Sequence, residues 1–171
     1  MKKNFLTFFF LMFSSIVHGQ EKIVYLDTNY LLNQSKVGKY VNSRLKKIND
    51  DNIEEFKAIE LNIKSIEEDL LKQKNILKKE DYEEKVSDLK NKYKSYQEQR
   101  KNKNDELTQL RNKVGNEILN HVNEILTKYS KSESISLIIE KKNVVIGKTD
   151  LDVTSDILSL LDKKIKKIEL Q

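Results

Sequence analysis

The chain has 171 residues, 35% of them charged, with 32 Lys and Arg against 27 Asp and Glu and no Cys or Pro. The absent cysteines exclude a disulfide framework, a thiolate metal site and a lipid-modified N-terminal cysteine. A net charge of +5 spread over so mixed a background does not mark a nucleic-acid binder, and four Gly with no Pro leave little to interrupt long helices.

The first residues, "MKKNFLTFFFLMFSSIVHGQ", place Lys2 and Lys3 before an apolar run from Phe5 to Val17 and then small residues. That is the layout of a secretory signal peptide, with Val17 and Gly19 suited to the −3 and −1 positions and cleavage expected after Gly19. The run is too short to cross about 30 Å of hydrocarbon as a helix. Its removal takes two of the basic residues and none of the acidic ones, so the exported part carries +3.

"KIVYLD", Lys22 to Asp27, reads as a short strand, and Asp27 or Thr28 is placed to cap a short helix through Tyr30, Leu31 and Leu32. From about Val37 the pattern is helical for some ninety residues. Phe56, Ile59, Ile63, Ile66, Leu70, Gln73 and Leu77 follow 3-4 spacing. So do Tyr82, Val86, Leu89, Tyr93, Tyr96, Arg100, Lys103, Leu107, Leu110 and Val114. This is a heptad seam of coiled-coil type. Asp81 and Glu84 have capping-box spacing, so a second helix is expected to start there and the two to form an antiparallel hairpin with its tip near Lys79-Glu80. Residues whose numbers sum to about 159 then face each other: Leu70 and Leu89, Ile63 and Tyr96, Leu45 and Val114. Arg100 and Lys103 fall opposite Ile59 and Phe56. Two long cations at seam positions leave Phe56 and Ile59 thinly covered, which predicts a soft segment midway along the arm. In "INDDNI", Ile48 to Ile53, the apolar residues are five apart, and the arm is expected to leave its base there. The stretch from Lys85 to Lys103 holds seven Lys or Arg against Asp88 and Glu98.

After Tyr129 the polar "SKSES" ends the helix. "ISLIIEKKNVVIGK", Ile135 to Lys148, reads as a β-hairpin, two β-branched runs about Glu140-Lys141-Lys142-Asn143. Thr154 is placed to cap a last helix with Ile157, Leu158, Leu161, Ile165 and Ile168 as its apolar stripe. Three short strands and one small helix bury little on their own, so the strands are expected to share a β core with further copies of the chain. Of chemistry there is little. His121 is the one histidine beyond the leader, no hydrolase, zinc-protease or phosphate-loop motif occurs, and the carboxylates lie on solvated helix faces. No catalytic, cofactor-binding or metal site is expected, and the protein is not read as an enzyme.

The order of parts resembles the Skp/OmpH family of periplasmic chaperones: leader, "KIVYLDTNYLL", a long charged helical hairpin, "ISLIIEKKNVVIGK", and a closing "LDVTSDILSLL". The most specific piece is Asp152-Val153-Thr154 ahead of the last helix. The resemblance implies an α+β, mostly α, homotrimer: a β-rich body bearing three helical-hairpin tentacles, which hold unfolded outer-membrane proteins between them without ATP. The corresponding division is a signal peptide over 1–19, a trimerisation body over 20–48 and 130–171, and a tentacle over 49–129. Client contact is expected at Phe56, Ile59, Tyr93, Tyr96, Arg100 and Lys103. Body formation is expected to use Ile23, Val24, Leu26, Leu137, Ile138, Val144 and Val145. Partners are the homotrimer, unfolded outer-membrane proteins and anionic lipid headgroups; nucleic acid and cofactors are not expected. The location is the periplasm. An exported coiled-coil scaffold without clients is the alternative.

Overall fold

The computed structural model describes residues 21–170; the expected signal peptide and its cleavage point lie outside them. Strand β1, Lys22–Leu26, is followed at once by helix α1, Thr28–Gln34. Asp27 caps α1, its Oδ1 accepting from the Tyr30 amide at 2.8 Å. Ser35 breaks the helix and restarts it: its Oγ accepts from the Gly38 amide at 3.1 Å and opens α2, Lys36–Gln73. A side chain at position 38 would place its Cβ 2.1 Å from the Leu32 carbonyl oxygen, so only glycine lets α1 and α2 meet at this angle. Helix α3 runs from Lys79 to Ser132 and is antiparallel to α2. At about 1.5 Å per residue α2 and α3 are about 57 and 80 Å long.

A left-handed residue, Ser134 at φ 52°, turns the chain from α3 into β2, Ile135–Glu140. β1 and β2 pair in parallel, with Ile23 beside Leu137, Val24 beside Ile138 and Leu26 beside Glu140. Single 3-10 turns at Lys141–Asn143 and Thr149–Leu151 lead to α4, Thr154–Lys164.

Several expectations need correction. The β-hairpin does not form: among the described residues the sheet has two strands, and β2 pairs with β1 rather than with Val144–Ile146. After the turn at Lys141 the chain passes instead to the other edge of β1, where the Val153 amide donates to the Tyr25 carbonyl at 3.0 Å. Tyr25 holds this detour in place. Its hydroxyl donates to the Lys148 carbonyl at 3.0 Å, and Lys141 sits over its ring at 5.9 Å. The arm's tip is the turn over residues 74–78, not Lys79-Glu80, and α3 starts at Lys79, with Glu80 and Asp81 in its first turn rather than Asp81 as cap. There those carboxylates face the positive end of the helix dipole. The last helix stops at Lys164. Ile165 is extended at φ −143°, ψ 136°, and Ile168 reaches the core from beyond the helix rather than from its stripe.

One cluster joins the two ends of the chain at the root of the arm. Val24 and Leu26 of β1, Leu31 of α1, Ile157 and Leu161 of α4 and the lower turns of both long helices pack together. From α2 come Val37, Val41 and Leu45, and from α3 Val114, Ile118, Val122 and Ile125. A single chain thus builds a larger core than its short strands suggested, because the roots of α2 and α3 are part of it.

Above this core a polar clip ties β1, β2 and α4. The Asp27 amide donates to Thr154 Oγ1 at 3.0 Å, and the Thr28 amide and hydroxyl donate to Glu140 Oε1 at 3.2 and 2.9 Å. Asp152 Oδ1 accepts from the Thr154 amide at 3.0 Å, and Lys141 Nζ reaches Asp152 Oδ2 at 2.7 Å. Burial works to raise the Asp152 carboxyl, but its bonds from Lys141 and Thr154 outweigh it and hold it below its usual value of 3.8. Tyr129 of α3 donates to Asp156 Oδ2 at 2.8 Å, and burial together with that bond pushes its phenol up to about 12.

Two outcomes follow for stability. Gly38→Ala forces the Leu32 carbonyl aside and should cost about 1–3 kcal/mol, the range for an overpacked site, as a lowered urea midpoint. Asp152→Asn should cost about 2 kcal/mol, since hydrogen bonds to charged groups are lost. Because the folded carboxyl titrates below the unfolded one, this contribution is complete above pH 3.8 and disappears as pH falls through the lower folded value. Urea midpoints of wild type and Asp152→Asn should therefore converge at acid pH.

Candidate binding surfaces

Parallel pairing puts β1 and β2 partners on a common face. Val24 and Leu26 point inward and are spent in the chain's own core, with Ile138 half-buried against it, whereas Ile23 and Leu137 lie side by side on the outer face, exposed. The detour after β2 adds to this exposed apolar surface. Val144 is half-buried, but Val145 and Ile146 are 102% and 92% exposed, as bare as in an extended peptide. These two are the most exposed large apolar side chains among the described residues.

The second surface lies along the arm. Phe56 of α2 meets Tyr96 of α3 edge to face, with ring centroids 6.0 Å apart and planes at 76°. Both are buried, so Phe56 is covered by Tyr96 rather than left thinly covered opposite Lys103. Tyr93 lies beside Tyr96 at 6.3 Å but is 54% exposed, although the seam called for it inside. Ile59 is half-buried. Arg100 Nη1 donates to Tyr96 Oη at 3.3 Å, and Lys103 turns out to Glu106 at 3.3 Å. The basic stretch is also partly neutralised along its own helix, Lys94 by Glu98 at 3.9 Å and Lys101 by Asp105 at 3.2 Å. Such exposed pairs add little stability.

Three features escaped sequence reasoning. Between the root core and the Phe56–Tyr96 pair lies an open notch of 520 Å³. Asn49, Asn52 and Ile53 line it from α2, and Arg100 and Asn104 from α3. The five-residue spacing in "INDDNI" was the available signal, because it moves the apolar stripe off the seam. The second feature is at the tip, where Leu71 and Ile76 are exposed among Lys72, Lys74, Lys78 and Lys79. The third is Ile146.

A two-helix arm rooted between adjacent parallel strands, with α4 closing the core beneath it, defines a class of elongated helical-hairpin proteins. The family pattern of OmpH-like outer membrane proteins matches residues 22–161, and the chain belongs to that family. The fold is shared with a crystal structure from Caulobacter crescentus CB15 of a candidate OmpH-like outer membrane chaperone. The TM-score is 0.80 at 18% identity over 87% of this chain and 88% of the other. Among curated proteins none matches the sequence. No described helix is long and apolar enough to cross a membrane.

The uneven packing of the arm sets its local opening. Leu45 and Val114 close the root core, and the next buried side chains outward are Phe56 and Tyr96. Amide hydrogen exchange should be faster over residues 49–53 and 99–104 than over 37–45 and 114–125, since protection follows buried apolar contact. Uniform protection along α2 and α3 would contradict this.

Proposed function

We propose that the protein is an ATP-independent holdase chaperone of the periplasm that keeps unfolded outer-membrane proteins between the arms of a homotrimer. The observation that carries this reading is the arm itself, in a chain that belongs to the OmpH-like family. Its apolar groups are exposed singly, at Ile53, Leu61, Leu71, Ile76 and Tyr93, among dense charge of both signs. Each can make one shallow contact with an unfolded chain, and no contact is strong enough to trap it. Many weak contacts hold a client while leaving it free to depart, and nothing in this requires a catalytic step, a cofactor or a nucleotide.

In this reading residues 20–48 and 130–171 form the body and 49–129 the arm. Ile23, Leu137, Val145 and Ile146 are the surface through which copies join, while Val24, Leu26, Ile138 and Val144 support it from within. Phe56, Ile59, Tyr93, Tyr96, Arg100 and Lys103 belong to the client-facing arm. The basic stretch 85–103 and the lysines around Ile76 suit anionic lipid headgroups as well as acidic client segments. The leader-like first 19 residues direct the chain to the periplasm.

Dilution of a urea-unfolded outer-membrane protein into buffer is the direct test. Near-stoichiometric chaperone should suppress its aggregation; an exported scaffold without clients would leave aggregation unchanged. Light scattering should give three times the mature mass. Val145→Asp should dissociate that assembly with the helical content intact, because Val145 contacts nothing in its own chain's core. A folded monomer of the wild-type chain at micromolar concentration would overturn the trimer.

A further inference from the structure

The notch midway along the arm combines three kinds of group that an ordinary helix seam would not leave uncovered together. Its floor is aromatic, the edge-to-face Phe56–Tyr96 pair, with Ile53 on the rim 56% exposed. One end carries the Arg100 guanidinium. Of its five N–H donors one reaches Tyr96 Oη at 3.3 Å, and among the described residues it has no carboxylate at ion-pair distance. The amides of Asn49 and Asn52 from α2 and of Asn104 from α3 complete the lining, and none of them makes a side-chain hydrogen bond among the described residues.

Asparagines at a coiled-coil seam commonly set register by bonding to each other across it. Here no such bond forms among the described residues. The opening of 520 Å³ compares with about 30 Å³ for a water's share of the liquid. It has room for a large side chain with a length of backbone beside it.

We propose that this notch binds an extended peptide segment in which an aromatic or large aliphatic side chain stands next to a carboxylate. The side chain enters between Ile53 and the Phe56–Tyr96 pair. The carboxylate meets the unpaired guanidinium of Arg100, whose planar fork suits it better than an ammonium would. Each Asn amide supplies both a donor and an acceptor, the combination that an unpaired peptide backbone needs. Lys57 and Glu60 also line the opening and offset each other, so Arg100 leaves it net positive and an acidic segment is favoured over a basic one. The proposal deepens the chaperone reading and rests on it for the source of the peptide: it adds one place of defined chemistry to an otherwise diffuse arm.

The test uses the full mature protein and a fluorescein-labelled, end-blocked peptide, Gly-Ser-Phe-Glu-Ser-Gly, with versions carrying Gln for Glu and Ala for Phe. Fluorescence anisotropy should rank the Phe-Glu peptide first. Arg100→Gln should weaken it about fivefold, the upper end for an exposed ion pair, and leave the Gln version unchanged. Asn52→Ala should weaken both. Neither position is buried, so both variants should keep the wild-type melting temperature. Equal weakening of both peptides by Arg100→Gln, or no binding at all, would overturn the site. Aggregation suppression measured on the same samples separates the two claims. Suppression without peptide discrimination removes the notch and leaves the chaperone; discrimination without suppression does the reverse.

Discussion

The parallel pairing of β1 with β2 is the constraint on which the rest of the molecule depends. Two antiparallel strands can be joined by a tight turn, but parallel ones need a crossover that carries the chain back to the starting end. Here the crossover is α1, α2 and α3 together. The arm is therefore not an appendage attached to a finished body. It is the connection that the sheet requires, extended outward far beyond the length that closure demands. Because both long helices must return to adjacent strands, their lower turns are forced together over the sheet, and Leu45, Val114, Ile118 and Val122 become core residues.

The root and the outer arm are consequently held by different physics. At the root, apolar burial is reinforced by the clip of Asp27, Thr28, Glu140, Asp152 and Thr154, in which each charged or polar group has a defined partner. Farther out, α2 and α3 have only each other. Two helices cannot enclose a seam, so Ile59, Ile63 and Ile66 stay half-exposed, and local propensity with surface charge carries the helices between the few tight contacts. The result is an arm fixed in direction at its base and adaptable along its length.

The helices were legible because nothing interrupts them and because the 3-4 spacing persists through both. The register between them was not. A seam that repeats every seven residues matches itself equally well after a slide of one heptad, so spacing alone did not single out the contact of Phe56 with Tyr96. The turn over residues 74–78 holds neither Gly nor Pro, and Leu77 keeps the spacing, so the tip left no local mark. Val144, Val145 and Ile146 have strand propensity, but propensity says that a segment is extended and not which edge it joins. The tertiary hold of Tyr25 on the Lys148 carbonyl decides that. Arg100 has no carboxylate at ion-pair distance among the described residues, in keeping with a seam position that offers a cation no obvious partner. The asparagines around it were invisible until the register was known.

The crossover also orders events in time. Pairing β1 with β2 directly from the unfolded chain closes a loop of roughly a hundred residues, an entropic cost that grows with the logarithm of loop length. Helices elongate on nanosecond timescales per residue from purely local contacts, and once α2 and α3 zip together from their tip they bring Leu26 and Ile135 within reach of each other. β1 is synthesised first, yet it has no partner until β2, more than a hundred residues later, has followed. A nascent copy thus passes through a stage as a growing helical hairpin with an unsatisfied strand at its foot, and its body is the last part to become native.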